Sequence, residues 1–117
     1  MKINVDESGP IAVVSVEGNI MQEYVTLFRS RLSDLLERGK CRIVLDLAGL
    51  SYMSSMCLAA IVDIKTRSVK CGGDIVMACA NDLVANLLAI TNLNKKIALY
   101  ATLEDAVAAQ QAVLSGE

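Results

Sequence analysis

The chain predicts an α/β fold, a mostly parallel mixed sheet with helices packed on it, in the order ββαβαβαβα. Three observations predict it. The hydrophobic pattern switches repeatedly between strand-like alternation and helical spacing. Two central segments, Cys41 to Leu47 and Asp74 to Cys79, are near-continuous apolar runs, as strands covered on both faces are. Beyond the first two strands, each strand is followed by a helix long enough for a parallel crossover. The 117 residues are expected to form one domain, residues 1–117, and a hydrophobic share of 54% favours a packed core over disorder.

The elements follow in order. Lys2 to Glu7 alternates Ile3 and Val5 with polar residues and reads as a strand. Ser8-Gly9-Pro10 marks a turn, and Ile11 to Glu17 returns as the second strand of a hairpin. Gly18-Asn19 ends it. Gln22 to Arg38 has helical spacing, with Val25, Phe28, Leu32, Leu35 and Leu36 on one face and Gly39 as its stop. After the buried strand Cys41–Leu47 and a short loop, Ser55 to Lys70 forms a helix with Leu58, Ile61, Val62, Lys65 and Val69 at helical intervals, closed by Gly72-Gly73. The strand Asp74–Cys79 follows. Asn81-Asp82 caps a third helix carrying Leu83, Val84, Leu87, Leu88 and Ile90. Ile97 to Tyr100 is a last short strand, and Thr102-Leu103-Glu104-Asp105 resembles a capping box opening a helix from Leu103 to Leu114.

Composition narrows the function classes. Aromatic residues are 3% and the net charge is −2, with no long basic run, so nucleic acid is not an expected partner. The longest uncharged stretch, Leu47 to Val62, is too short to span a bilayer and holds Gly49 and three serines, so no membrane insertion is expected. Met1 to Asp6 lacks the apolar run of a signal peptide, which predicts a cytoplasmic location. The four cysteines, Cys41, Cys57, Cys71 and Cys79, form no CxxC pair and there is no histidine, so no metal site and no cofactor are expected. In a reducing compartment these cysteines read as buried small hydrophobes.

Enzymatic chemistry has little to stand on. Without histidine, a hydrolytic triad needs a lysine base, and the spacing of Lys65 and Lys70 places them on a solvent face. Gly72-Gly73 lacks the Gly-Lys-Ser/Thr that would make a phosphate loop. Asp46 ends a buried strand beside a loop and is expected to bond loop N–H groups.

Ser54-Ser55 is the feature that points to function. A hydroxyl at the mouth of a helix faces unpaired N–H groups and the positive end of the dipole. The spot suits a phosphorylation switch and equally an ordinary N-cap. Met21 lies in the loop after the second strand and Met53 and Met56 flank the serines, where both loops leave carboxyl ends of strands, either filling gaps in the core or offering an apolar rim to a partner.

The run Ile43-Val44-Leu45-Asp46-Leu47-Ala48-Gly49-Leu50-Ser51-Tyr52-Met53-Ser54-Ser55 resembles the signature of the STAS domain, found in anti-sigma factor antagonists and at the C-termini of sulphate transporters. Val16-Glu17-Gly18-Asn19-Ile20, Gly72-Gly73, Leu87-Leu88-Ala89-Ile90-Thr91-Asn92-Leu93 and Tyr100-Ala101-Thr102-Leu103-Glu104-Asp105-Ala106 fit the same family in order. The resemblance implies a STAS-like domain over the whole chain and a regulatory binding protein rather than an enzyme. It implies partner switching with an anti-sigma factor that is also a serine kinase, reset by a phosphatase.

By position, the phosphoacceptor is Ser55, with Ser54 the second choice, and the partner-binding surface comprises Met21, Met53, Ser54, Met56 and Cys57. Three positions depart from the family pattern: Ser54 replaces the signature aspartate, Cys57 a glycine, and Met21 an aspartate. The alternative function is therefore a non-phosphorylated scaffold subunit docked on a transporter ATPase or a signalling complex. The family implies a monomer, and an exposed methionine rim would allow a weak dimer.

Overall fold

The computed structural model describes residues 2–7 and 9–114. β1 (Lys2–Asp6) and β2 (Ile11–Ile20) form an antiparallel hairpin with Lys2 opposite Glu17. Part of its expected turn, Ser8, lies outside the described residues. A 3-10 turn (Gln22–Tyr24) leads into α1 (Val25–Glu37), then β3 (Arg42–Asp46), β4 (Leu50–Met53), α2 (Ser55–Lys70), β5 (Asp74–Ala78), α3 (Asp82–Ile90), α4 (Leu93–Lys96), β6 (Leu99–Tyr100) and α5 (Leu103–Leu114). The sheet runs β1-β2-β3-β5-β6, parallel at every pairing after the hairpin, and β4 pairs with the end of β2.

Two cores form on the two faces of this sheet. Val14, Val16, Ile43, Leu45, Ile75 and Met77 pack beneath α1 to α4, whose buried faces contribute Phe28, Leu32, Leu35, Ile61, Ile64 and Leu88. Ile11, Val44, Val76 and Ala78 face the other way and meet Ala106 of α5. Alternate residues of β3 and β5 thus enter opposite cores, which is why those strands read as unbroken apolar runs. Gln110 locks α5 down: its side chain donates to the carbonyls of Ile43 and Asp74, both at 3.0 Å, satisfying a buried polar group across two strands.

The helix boundaries have local causes. After α1, Gly39 N–H bonds the Leu36 carbonyl and Lys40 N–H the Leu35 carbonyl. After α2, Gly72 N–H bonds Val69 and Gly73 N–H bonds Ser68 in the same way. Each is a Schellman stop, with a glycine at φ +83° and +91° where a Cβ would be strained. At the other ends, Asn81 caps α3 by accepting from Val84 N–H at 2.8 Å, and Thr102 caps α5 by accepting from Asp105 N–H at 3.1 Å.

The structure differs from the sequence expectation in several places. β2 continues through Gly18-Asn19 by a bulge, so that β4, expected as loop, can pair with it: Asn19 lies opposite Tyr52 and Ile20 opposite Met53. α4 is a further short helix. On α2 the buried face is Cys57, Leu58, Ala60, Ile61, Ile64 and Ser68, while Val69 is exposed. Lys65, expected on a solvent face, folds back to an ion pair with Asp74 at the start of β5. The cysteines also depart from expectation. Cys57 is fully buried, but Cys41 and Cys71 are joined in a disulfide and Cys79 is partly exposed.

Candidate functional site

The parallel pairing of β4 with the end of β2 builds the site. Because Ile20 lies opposite Met53, the next residues, Met21 and Ser54, leave the sheet side by side. Ser54 N–H then donates to the Ile20 carbonyl at 2.9 Å, fastening the α2 entrance to the β2 exit. Asp46 stabilises the preceding loop as expected: it accepts from Ala48 N–H at 3.1 Å and from the Ser15 hydroxyl at 3.0 Å. Asn81 reaches in from the α3 cap and donates to the Leu50 carbonyl at 2.9 Å. The serine loop is therefore held from three sides before any partner arrives.

The two serines have different surroundings. Ser54 is the N-cap of α2 with extended backbone, half-buried, and its hydroxyl accepts from Cys57 N–H at 3.3 Å. Ser55 is the first helical residue and is exposed. Among the described residues, its hydroxyl has no hydrogen-bond partner. The first turn of α2 contains no acidic side chain, so nothing on the helix itself opposes an anion at its positive end.

The methionines separate into surface and support. Met21 is 42% exposed and Met56 49% exposed, so both lie on the surface, Met56 next to Ser55 in the chain and Met21 one residue past the Ile20 carbonyl that holds Ser54. Met53 and Cys57, expected to touch a partner, are instead at 0% exposure. Met53 ends β4 with its side chain in the core beneath α1 to α4, and Cys57 sits in the first turn of α2 on its inner face. They hold the loop from below and do not form the surface. Burial pushes the Cys57 thiol up to about 12, which leaves it a neutral, packed group.

Two tyrosines escaped the sequence reading. Tyr24 closes the turn after β2, its N–H bonding the Met21 carbonyl at 2.9 Å, and is about as exposed as Met21. Tyr52 projects from β4 two residues before Ser54 and is also exposed. Its outward position follows from the pairing of β4 with the end of β2, which has no local signature in the sequence.

The site is a surface, not a cavity. A hollow of about 400 Å³ lies between the β1–β2 hairpin and α5 on the opposite face of the sheet and includes no predicted site residue. Among the described residues, no group of three or more cysteine, aspartate or glutamate side chains is placed to hold a metal ion. No helix of the described residues is long and apolar enough to cross a membrane.

A model of the STAS domain matches residues 2–106. The chain belongs to the STAS domain family. A candidate anti-sigma factor antagonist of Thermotoga neapolitana, a homolog of TM1081, is 30% identical over 86 residues, covering 73% of this chain and 76% of the relative. Among solved structures, an anti-sigma factor antagonist of Mycobacterium paratuberculosis superposes with a TM-score of 0.86 at 22% identity, covering 94% of this chain and 93% of that one. The phosphorylated form of SpoIIAA, a Bacillus cell fate determinant, superposes with a TM-score of 0.73 at 16% identity, covering 92% and 97%. The chain is thus a STAS protein similar to anti-sigma factor antagonists, a family of regulatory binding proteins.

Proposed function

We propose that this STAS protein is an anti-sigma factor antagonist whose partner switching is governed by phosphorylation of Ser55. The observation that carries the proposal is the contrast between the serines. Ser54 spends its hydroxyl on the helix cap, whereas the exposed Ser55 hydroxyl has no hydrogen-bond partner among the described residues, and Met21 and Met56 are exposed as well. The expected partner is an anti-sigma factor with serine kinase activity, and a phosphatase resets the cycle.

The physics of the switch is local. Unmodified, Ser55 is a small neutral group in an apolar surface that a partner can cover without desolvating a charge. Phosphorylation adds roughly −1.5 to −2 charges at that point. The helix N-terminus stabilises the new charge in the free protein. Burying it against an apolar partner face costs several kcal/mol, enough to release the complex. Because Ser54 keeps the cap, α2 has no reason to unwind, and the surface charge alone changes.

One observation favours a second reading, a non-phosphorylated scaffold subunit docked on a transporter ATPase or a signalling complex. Met21 and Ser54 stand where the family usually has aspartates, and no acidic group in the first turn remains to orient the acceptor hydroxyl. Intact-mass and phosphopeptide analysis of the protein isolated from its native cells distinguishes the two. A phosphoryl group mapped to Ser55, and lost in Ser55→Ala, supports the switch. A single unmodified mass across growth and stationary phases overturns it.

A further inference from the structure

Away from the serine surface, the far end of α2 carries a second chemical feature. Cys71 caps the C-terminus of that helix, and Cys41 stands one residue ahead of β3. Their Cα atoms are 6.2 Å apart and their sulfurs are bonded. The backbone itself brings them together. β3 and β5 pair in parallel with Arg42 opposite Asp74, so the residues entering the two strands converge at one edge. Asp74 N–H donates to the Cys41 carbonyl at 3.1 Å. Gly73 passes so close that a Cβ there would collide with that carbonyl, which requires glycine. The backbone pairing thus places the two cysteines side by side at one edge of the sheet.

The pair is unequal in access. Cys41 is 8% exposed, while Cys71 is exposed at the helix end. A small thiol or disulfide in solution therefore reaches Cys71 first. The ring that the bond closes spans β3, β4, Ser54-Ser55 and the whole of α2.

We propose that Cys41 and Cys71 form a reversible thiol oxidation site, a redox staple on the segment that carries Ser55. The co-reactant is a low-molecular-weight disulfide. The Cys71 thiolate attacks it, forming a mixed disulfide and releasing one small thiol. The Cys41 thiolate then attacks the Cys71 sulfur and expels the second small thiol. The two protein thiols lose two electrons and two protons in total, and the small disulfide is reduced to two thiols. Excess dithiol reverses the exchange. The staple does not depend on phosphorylation of Ser55 and stands or falls apart from the function proposed above.

The test uses the whole chain, equilibrated with glutathione disulfide or with dithiothreitol. Each sample is then alkylated with iodoacetamide in denaturant, peptide-mapped, and followed in parallel by thermal melting and hydrogen exchange. The expected oxidised form has Cys57 and Cys79 alkylated and Cys41 linked to Cys71, and all four are alkylated after dithiothreitol. Closing a ring of this length raises the melting temperature by about 10 °C, and the last turn of α2 gains exchange protection. Cys71→Ser, at an exposed position, keeps the fold and loses the redox response. A Cys57→Ala/Cys79→Ser protein, if folded, keeps it; the wild-type peptide map decides the linkage in either case. Alkylation of Cys41 and Cys71 after glutathione disulfide, a link to Cys57 or Cys79 instead, or identical melting of both redox forms overturns the proposal.

Discussion

Replacing Ser55 with aspartate separates what the residue does in the free protein from what it does at an interface. Ser55 is the first residue of α2, exposed, with no acidic neighbour in the first turn and with the cap already supplied by Ser54. A carboxylate there meets the positive end of a 16-residue helix and stabilises the fold by about 0.3–1 kcal/mol at low salt. At about 2.1 cal/mol/K of unfolding entropy per residue, a chain of this size gains roughly 4 °C per kcal/mol, so the melting temperature rises by about 1–4 °C. The same charge at a covered apolar surface loses at least about 2 kcal/mol of binding, or roughly 30-fold in affinity. Differential scanning calorimetry in low salt reads the first effect, and titration of an anti-sigma kinase captured by Ser55→Ala protein reads the second. A stable free protein with weakened binding is the signature of a surface charge switch. If Ser55→Asp melts below wild type, the exposed helix-mouth placement is wrong. If it binds as well as Ser55→Ala, the switch is wrong.

Further outcomes follow from the same structure. Ser54→Ala removes the cap bond to Cys57 N–H and lowers stability by about 1 kcal/mol, or roughly 4 °C in a thermal melt. The Cys57 thiol is raised from 9.0 to about 12, so above about pH 9 the unfolded chain releases a proton that the folded chain keeps, and stability falls as pH rises. Wild type should lose about 1 kcal/mol more than Cys57→Ala between about pH 8.5 and 10 in urea unfolding; equal slopes would show that the thiol is not buried. Phe28→Ala empties a fully packed site and costs about 3–5 kcal/mol by the same assay. Arg29→Ala breaks a half-exposed ion pair with Asp63 at 2.9 Å and changes stability by no more than about 1 kcal/mol.

Strong local signals made most of the fold legible. α1 buries the five residues its periodicity names, α2 begins at Ser55 and ends at Lys70, and Asn81, Thr102, Gly39 and Gly72 act where their chemistry predicts. β4 was not legible, because four residues with two exposed side chains between Gly49 and Ser54 carry the marks of a loop. Its strand character comes from a partner, the bulged end of β2, and pairing of that kind has no local signature. The Cys41–Cys71 bond was hidden for a related reason. The two stand 30 positions apart in sequence, and only the parallel register of β3 and β5 brings them to one edge.

The same missing strand explains what the candidate site shares with its sequence reading and what it does not. A loop of unknown course makes every methionine near the serines a plausible surface residue. Once Met53 is the last residue of β4, opposite Ile20, alternation turns it into the core and Tyr52 out. Cys57 then falls on the inner face of α2, within its first turn, where it packs in the core. What remains on the surface is Met21, Tyr24, Tyr52, Ser55 and Met56, displayed by two chain segments hydrogen-bonded to each other through Ser54 N–H and the Ile20 carbonyl. Such a surface loses little conformational entropy on binding, because its backbone is already fixed. The switch proposed above requires that recognition by such a surface respond to the charge at one residue, Ser55.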